Sequence, residues 1–144
     1  MPDGQTSGMV VSQFRIAGSC AVVTGASQGI RRTVADRYAD DGVDVVVCSR
    51  SQADVENVAD AINRSDRAGS AEGIECDVRD RAAIEALLER TVERFGPVDV
   101  LVNNAAGYFR APIDDLSENG WKTIVDINLH GVFHCTQIIG GHMR

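Results

Sequence analysis

Two rhythms of apolar and polar positions alternate along the chain. Short β-branched runs stand at Cys20-Ala21-Val22-Val23-Thr24, Val43-Asp44-Val45-Val46-Val47-Cys48, Ala71-Glu72-Gly73-Ile74-Glu75-Cys76 and Val98-Asp99-Val100-Leu101-Val102-Asn103. The second and fourth are almost unbroken, the signature of parallel strands covered on both faces. Between them the apolar positions shift to helical spacing. Ile30, Val34 and Tyr38 form one stripe, with Asp41-Gly42 as its stop. Val55, Val58, Ala59 and Ile62 form the next, with Ser51 placed to cap it and Asp54 three residues on. Ile84, Leu87, Leu88, Val92 and Phe95 form the third, closed by Gly96-Pro97. The last stripe, entered through Ser117-Glu118, runs through Trp121, Ile124, Val125, Leu129, Val132, Phe133 and Thr136.

This order, β-α-β-α-β-α-β-α, predicts an α/β fold. Right-handed crossovers make it an open parallel sheet flanked by helices, a Rossmann-type arrangement with strand order 3-2-1-4. Residues 1–15 read as a flexible leader, and residues 16–144 as a partial dinucleotide-binding (Rossmann) domain. The pattern is truncated after the fourth strand and its following helix. Strand four is therefore expected at a sheet edge, next to apolar helix faces that lack a cover.

Composition narrows the function. Of 144 residues, 44% are hydrophobic and 24% charged, which suits one globular domain. The net charge of -7 offers no basic stripe for phosphate backbones, so nucleic acid is not expected as a partner. No apolar run has the length of a membrane span, and no signal peptide is visible, so the expectation is a cytoplasmic protein without a membrane partner. Lys122 is the only lysine. High-salt adaptation and a GC-rich genome explain that equally well. Cys20, Cys48, Cys76 and Cys135 form no CxxC and read as small buried thiols. His130 and His134 share a helix face, but no third ligand is near, and no metal site is expected.

The chemistry begins directly after the first strand, at Thr24-Gly25-Ala26-Ser27-Gln28-Gly29-Ile30-Arg31. A glycine-bearing turn there lets the backbone approach a pyrophosphate resting on a helix N-terminus. About 20 residues on, the second strand ends in Cys48-Ser49-Arg50, where such a fold meets the adenosine ribose. Ser49 and Arg50 offer a neutral donor and a fixed cation instead of a carboxylate, which favours NADP(H), with NAD(H) as the alternative.

The glycine spacing resembles the TGxxxGxG of short-chain dehydrogenases/reductases, matched at Thr24, Gly25 and Gly29. Arg31 stands where the family has its last glycine, so either it turns aside or it crowds the cofactor. Cys76-Asp77-Val78 resembles the family's pair after strand three, where Asp77 corresponds to the adenine contact. Asn103-Asn104-Ala105-Ala106-Gly107 resembles the NNAG motif, in which the asparagines brace the sheet and Asn104, Ala105, Ala106 and Gly107 lie along the cofactor. Asp126-Ile127-Asn128-Leu129-His130-Gly131 resembles the segment carrying the family's active-site asparagine, so Asn128 is the expected catalytic residue. Around Tyr108 and Trp121 the sequence is also similar to 3-oxoacyl-carrier-protein reductases and 2,4-dienoyl-CoA reductases.

The resemblance implies hydride transfer between NADP(H) and a carbonyl/alcohol or enoyl substrate. It also implies a serine, and a tyrosine followed four residues later by lysine. Tyr38 and Tyr108 are followed at that spacing by Gly42 and Pro112, so the chain contains no YxxxK. It is therefore expected to hold only the cofactor half and to be inactive alone. The expected partners are the dinucleotide, an unidentified small-molecule substrate, and either a second copy or a complementing C-terminal segment. The alternative is a catalytically inactive dinucleotide-binding remnant or interaction module.

Overall fold

A computed structural model describes residues 16–25 and 30–144, apart from the side chains of Ile30 and Arg31. The leader at 1–15, and Ser27, Gln28 and Gly29 of the glycine loop, lie outside the described residues. So does the packing of Arg31.

The elements follow the expected order: β1 (Cys20–Thr24), α1 (Ile30–Asp40), β2 (Asp44–Ser49), α2 (Gln52–Arg64), β3 (Ala71–Glu75), α3 (Arg81–Phe95), β4 (Val100–Val102), α4 (Glu118–Val125) and α5 (Gly131–His142). Between α4 and α5, Asp126–His130 forms one π-helical turn, so the last stripe is a single rod with a local widening. The strands form one parallel sheet in the order β3-β2-β1-β4, with Val22 opposite both Val46 and Leu101. Every residue of β1 is buried, as a central parallel strand requires.

Alternate residues of each strand feed two cores. Val23, Val45 and Val47 face α1 and α2, joining Ala35, Ala39, Val55, Val58 and Ile62. Val22, Val46 and Ile74 face α3 and α5, joining Ile84, Leu87, Cys135 and Ile139. Caps at Ser51, whose hydroxyl accepts from the Asp54 N–H, and at Ser117, which accepts from Gly120, fix the entries of α2 and α4.

Some expectations are corrected. On α1 the fully buried positions are Ala35 and Ala39, while Val34 and Tyr38, one residue earlier around the helix, are only half-buried and pack against the margin of the same core. In the last stripe Trp121, Leu129, Val132 and Phe133 are exposed, and the core is met instead by Ile127, Gly131, Cys135 and Ile139. The π turn shifts the buried face by a fraction of a turn, which no regular stripe anticipates. β4 is shorter than the apolar run Val98–Asn103 and is a sheet edge among the described residues. No helix among them is long and apolar enough to cross a membrane.

Candidate cofactor site

The carboxyl ends of the strands gather several of the residues singled out from the sequence. Gly25 leaves β1 at φ 70°, a left-handed conformation that favours glycine, and its N–H donates to the Cys48 carbonyl at 2.7 Å. Thr24, fully buried, organises the opposite side. Its hydroxyl accepts from the N–H groups of Asn104 (3.0 Å) and Ala105 (2.9 Å) and donates to the Val102 carbonyl. One side chain at the end of β1 thus sets the course of the segment after β4.

Between these ends lies a cleft lined by Gly25, Ser49, Arg50, Asp77, Val78 and Ala105, with Ser51, Asp54, Cys76, Ala106 and Ile127 completing its wall. Ser49, Arg50, Asp77, Val78, Ala105 and Ala106 are therefore brought together as expected. Arg50 is exposed and makes no hydrogen bond or ion pair among the described residues. Ser49 Oγ is engaged with the backbone of Ser51 at 3.3 Å, both donating and accepting, and shapes the turn into α2.

Asp77 is held by Arg79. The guanidinium reaches its carboxylate through Nε at 2.9 and 3.1 Å and Nη2 at 2.5 Å, and the Arg79 N–H adds a bond of 3.0 Å. These bonds hold the Asp77 carboxyl below the usual carboxylate range, assisted at longer range by Arg50. Sequence reasoning missed Arg79. Its signal was available as the second cation within reach of the cleft, two residues beyond the aspartate.

Val78 is fixed by α5, where His134 Nδ1 lies 3.2 Å from its carbonyl oxygen. A side chain at Gly131 would meet Val78 Cγ2 at 2.6 Å, so glycine is required for this approach. His130 is committed elsewhere, to Asp126 at 2.9 Å, and Asp126 also binds Lys122. Asn103, exposed, donates to Thr136 Oγ1 at 3.0 Å and so ties the end of β4 to α5.

Asn128 sits within the π turn. Its amide donates to the Gly107 carbonyl at 2.7 Å and to the Ile124 carbonyl at 2.9 Å. Ile127 packs on the same segment so closely that a Cβ at Gly107 would lie 2.7 Å from its Cδ1. Gly107 and Asn128 are therefore one unit, linking the segment after β4 to the widened helix. All four cysteines are buried and free. Burial pushes the Cys20 thiol up to about 11 and Cys135 up to about 12. The Cys48 thiol is raised by its hydrogen bond to Cys76 and by burial, and the same bond lowers Cys76, so Cys20, Cys48 and Cys135 are packing groups more than nucleophiles.

The parallel sheet, the cleft at its carboxyl edge and the glycine exit from β1 together define a dinucleotide-binding architecture. A model of the short-chain dehydrogenase family matches residues 19–144, and this chain belongs to that family. The short-chain reductase protein NovJ of Streptomyces niveus is 37% identical over 143 residues, covering 99% of this chain and 52% of the relative. A candidate 2,4-dienoyl-CoA reductase of Bacillus subtilis strain 168 is 34% identical, over 84% of this chain and 47% of its own length. Among solved structures, an actinorhodin polyketide ketoreductase variant with NADPH superposes with a TM-score of 0.77 at 36% identity, covering 84% of this chain and 46% of that one. The chain spans about half the length of the curated relatives it matches.

Proposed function

We propose that this chain is the cofactor-binding part of a nicotinamide-dependent oxidoreductase that takes NADP(H) in preference to NAD(H) and acts on a carbonyl/alcohol or enoyl substrate. The observation that carries the reading is Arg50, a guanidinium in the cleft at the end of β2 with no ion pair or hydrogen bond among the described residues. A 2′-phosphate there gains a charge-assisted partner, whereas a ribose hydroxyl gains little from it. The solved relative with NADPH supports the same choice.

The remaining residues fit the rest of the group. Asp77 is an acceptor suited to the adenine amino group, and Val78 flanks it. The small side chains of Ala105 and Ala106 leave room along the cleft wall. Thr24 and Gly25 begin the phosphate turn, which Ser27, Gln28, Gly29 and Ile30 would complete. When bound, the dinucleotide supplies a hydride. Asn128, held on the Gly107 carbonyl beside this wall, is the residue proposed to hold a water in a proton relay. The serine, tyrosine and lysine implied by the family are not present at their spacing, so we propose that the chain alone binds without turnover.

Titrating NADPH and NADH into the wild-type chain and Arg50→Asp, by quenching of Trp121 or by calorimetry, tests the reading. Loss of one charge-assisted bond and addition of a repulsive charge should weaken NADPH by about 10–100-fold and NADH by much less. Equal losses for both dinucleotides would overturn it, and turnover by the chain alone would overturn the binding-only assignment.

A further inference from the structure

The Asp77 carboxylate faces two guanidinium groups, and only one of them holds it. Arg79 takes it in a fork, with contacts of 2.5, 2.9 and 3.1 Å, and closes the turn through its own N–H. Arg50 lines the same cleft and acts on Asp77 through space, yet forms no bond to it. A carboxylate has about four acceptor positions. Arg79 takes most of them with two guanidinium N–H groups and its backbone N–H, and leaves room for one further donor such as the adenine amino group.

The cleft has two acidic side chains, Asp54 and Asp77. Asp54 belongs to the first turn of α2, where the helix N-terminus favours its charge. Asp77 is the one with a cation seated on it. If that cation were absent, a full negative charge would stand in the same cleft as the long, flexible, unpaired Arg50. The two would pair, and the guanidinium would no longer be available to a ligand.

We infer that Arg79 is a specificity-determining positioning residue: by occupying the Asp77 carboxylate it keeps Arg50 free for the 2′-phosphate of NADP(H). Arg79 need not touch the phosphate. It removes an internal competitor for the residue that does, and it cancels a charge that would repel a dianionic group in the same cleft. The inference rests on the reading of Arg50 given above.

The readout is the ratio of NADH to NADPH dissociation constants, measured on one preparation of each variant. In Arg79→Leu this ratio should fall about 10-fold, with NADH affinity changed little. Arg79→Lys, which keeps the cation, should retain most of the preference. The double variant Arg79→Leu/Asp77→Asn should recover the ratio, because the competing charge is gone. Loss of an adenine contact in that double variant weakens both dinucleotides alike and cancels in the ratio.

A purely structural role for Arg79 in the turn before α3 would weaken both dinucleotides equally, leave the ratio unmoved and overturn the inference. A ratio that falls and is not restored by Asp77→Asn would show that Arg79 meets the phosphate itself, which also overturns it. Should Arg79→Leu fail to fold, Asp77→Asn alone decides. Releasing Arg50 from the attraction of Asp77 should then leave the ratio unchanged or higher, and a fall would overturn the proposal. A wild-type chain without NADPH preference would fail the reading of Arg50, a result distinct from wild-type preference that survives Arg79→Leu.

Discussion

Thr24 shows how much of the site one buried hydroxyl can organise. It is 2% exposed and serves the N–H groups of both Asn104 and Ala105. Valine has nearly the same shape but cannot accept, so Thr24→Val leaves two backbone donors without their partner. Such orphaned groups cost about 1–3 kcal/mol each. Chemical denaturation of Thr24→Val should show a lower midpoint with an unchanged slope, whereas Thr24→Ser should stay close to wild type. A valine variant as stable as wild type would mean that another group takes over those donors. Thr24, Gly25, Asp77 and Asn128 were all legible from the sequence as positions in motifs. Their partners were not. Arg79 on Asp77 and Gly107 on Asn128 depend on side-chain reach across turns, for which linear spacing has no code.

At the scale of elements, β3 is an edge strand whose outward backbone groups would template pairing with another chain. Helix α2 blocks this with two side-chain amides. Asn63 accepts from the Ala71 N–H at 2.8 Å and donates to the Ala71 carbonyl at 2.9 Å. Gln52, one helix length away, accepts from the Glu75 N–H at 2.7 Å and donates to the Gly73 carbonyl at 3.1 Å. Gly73 lies between them, where a Cβ would come within 2.4 Å of the Val55 carbonyl oxygen, so the helix crosses the strand at backbone contact. The polar positions of α2 carried no sign of this role, because only its apolar stripe was periodic. Glu72 is a similar case: a buried acid on β3 is stabilised by Arg90 at 2.5 Å and Arg94 at 3.1 Å from α3. Asn63→Leu should therefore destabilise the fold by about 1–3 kcal/mol and release the start of β3. Hydrogen exchange should speed up at Ala71 ahead of the central strands. If protection at Ala71 is unchanged, the amide is not what secures this edge.

For the whole molecule, strand order, connectivity and the two cores followed from the alternation of apolar rhythms, since parallel crossovers admit few arrangements. The distribution of apolar surface did not follow so simply. Periodicity reports which side of a helix is apolar, and says nothing of whether something covers it. On the α4–α5 rod, Trp121, Leu129 and Phe133 are 57%, 63% and 57% exposed, and Tyr108, Phe109 and Ile113 add to the apolar surface between β4 and α4. β1 and β2, by contrast, have no large exposed hydrophobic side chain. Among the described residues the apolar exposure is thus gathered on the β4 side of the sheet, and such patches bind apolar probes. The folded 144-residue chain should enhance the fluorescence of an anilinonaphthalene dye, and its single tryptophan, Trp121, should be open to acrylamide quenching. The double variant Leu129→Ser/Phe133→Ser removes apolar area already in water, so it should lower dye binding while leaving the unfolding midpoint within about 0.5 kcal/mol of wild type. A large loss of stability would show that these side chains are packed in solution. Dye binding unaffected by the double variant would place the apolar surface elsewhere.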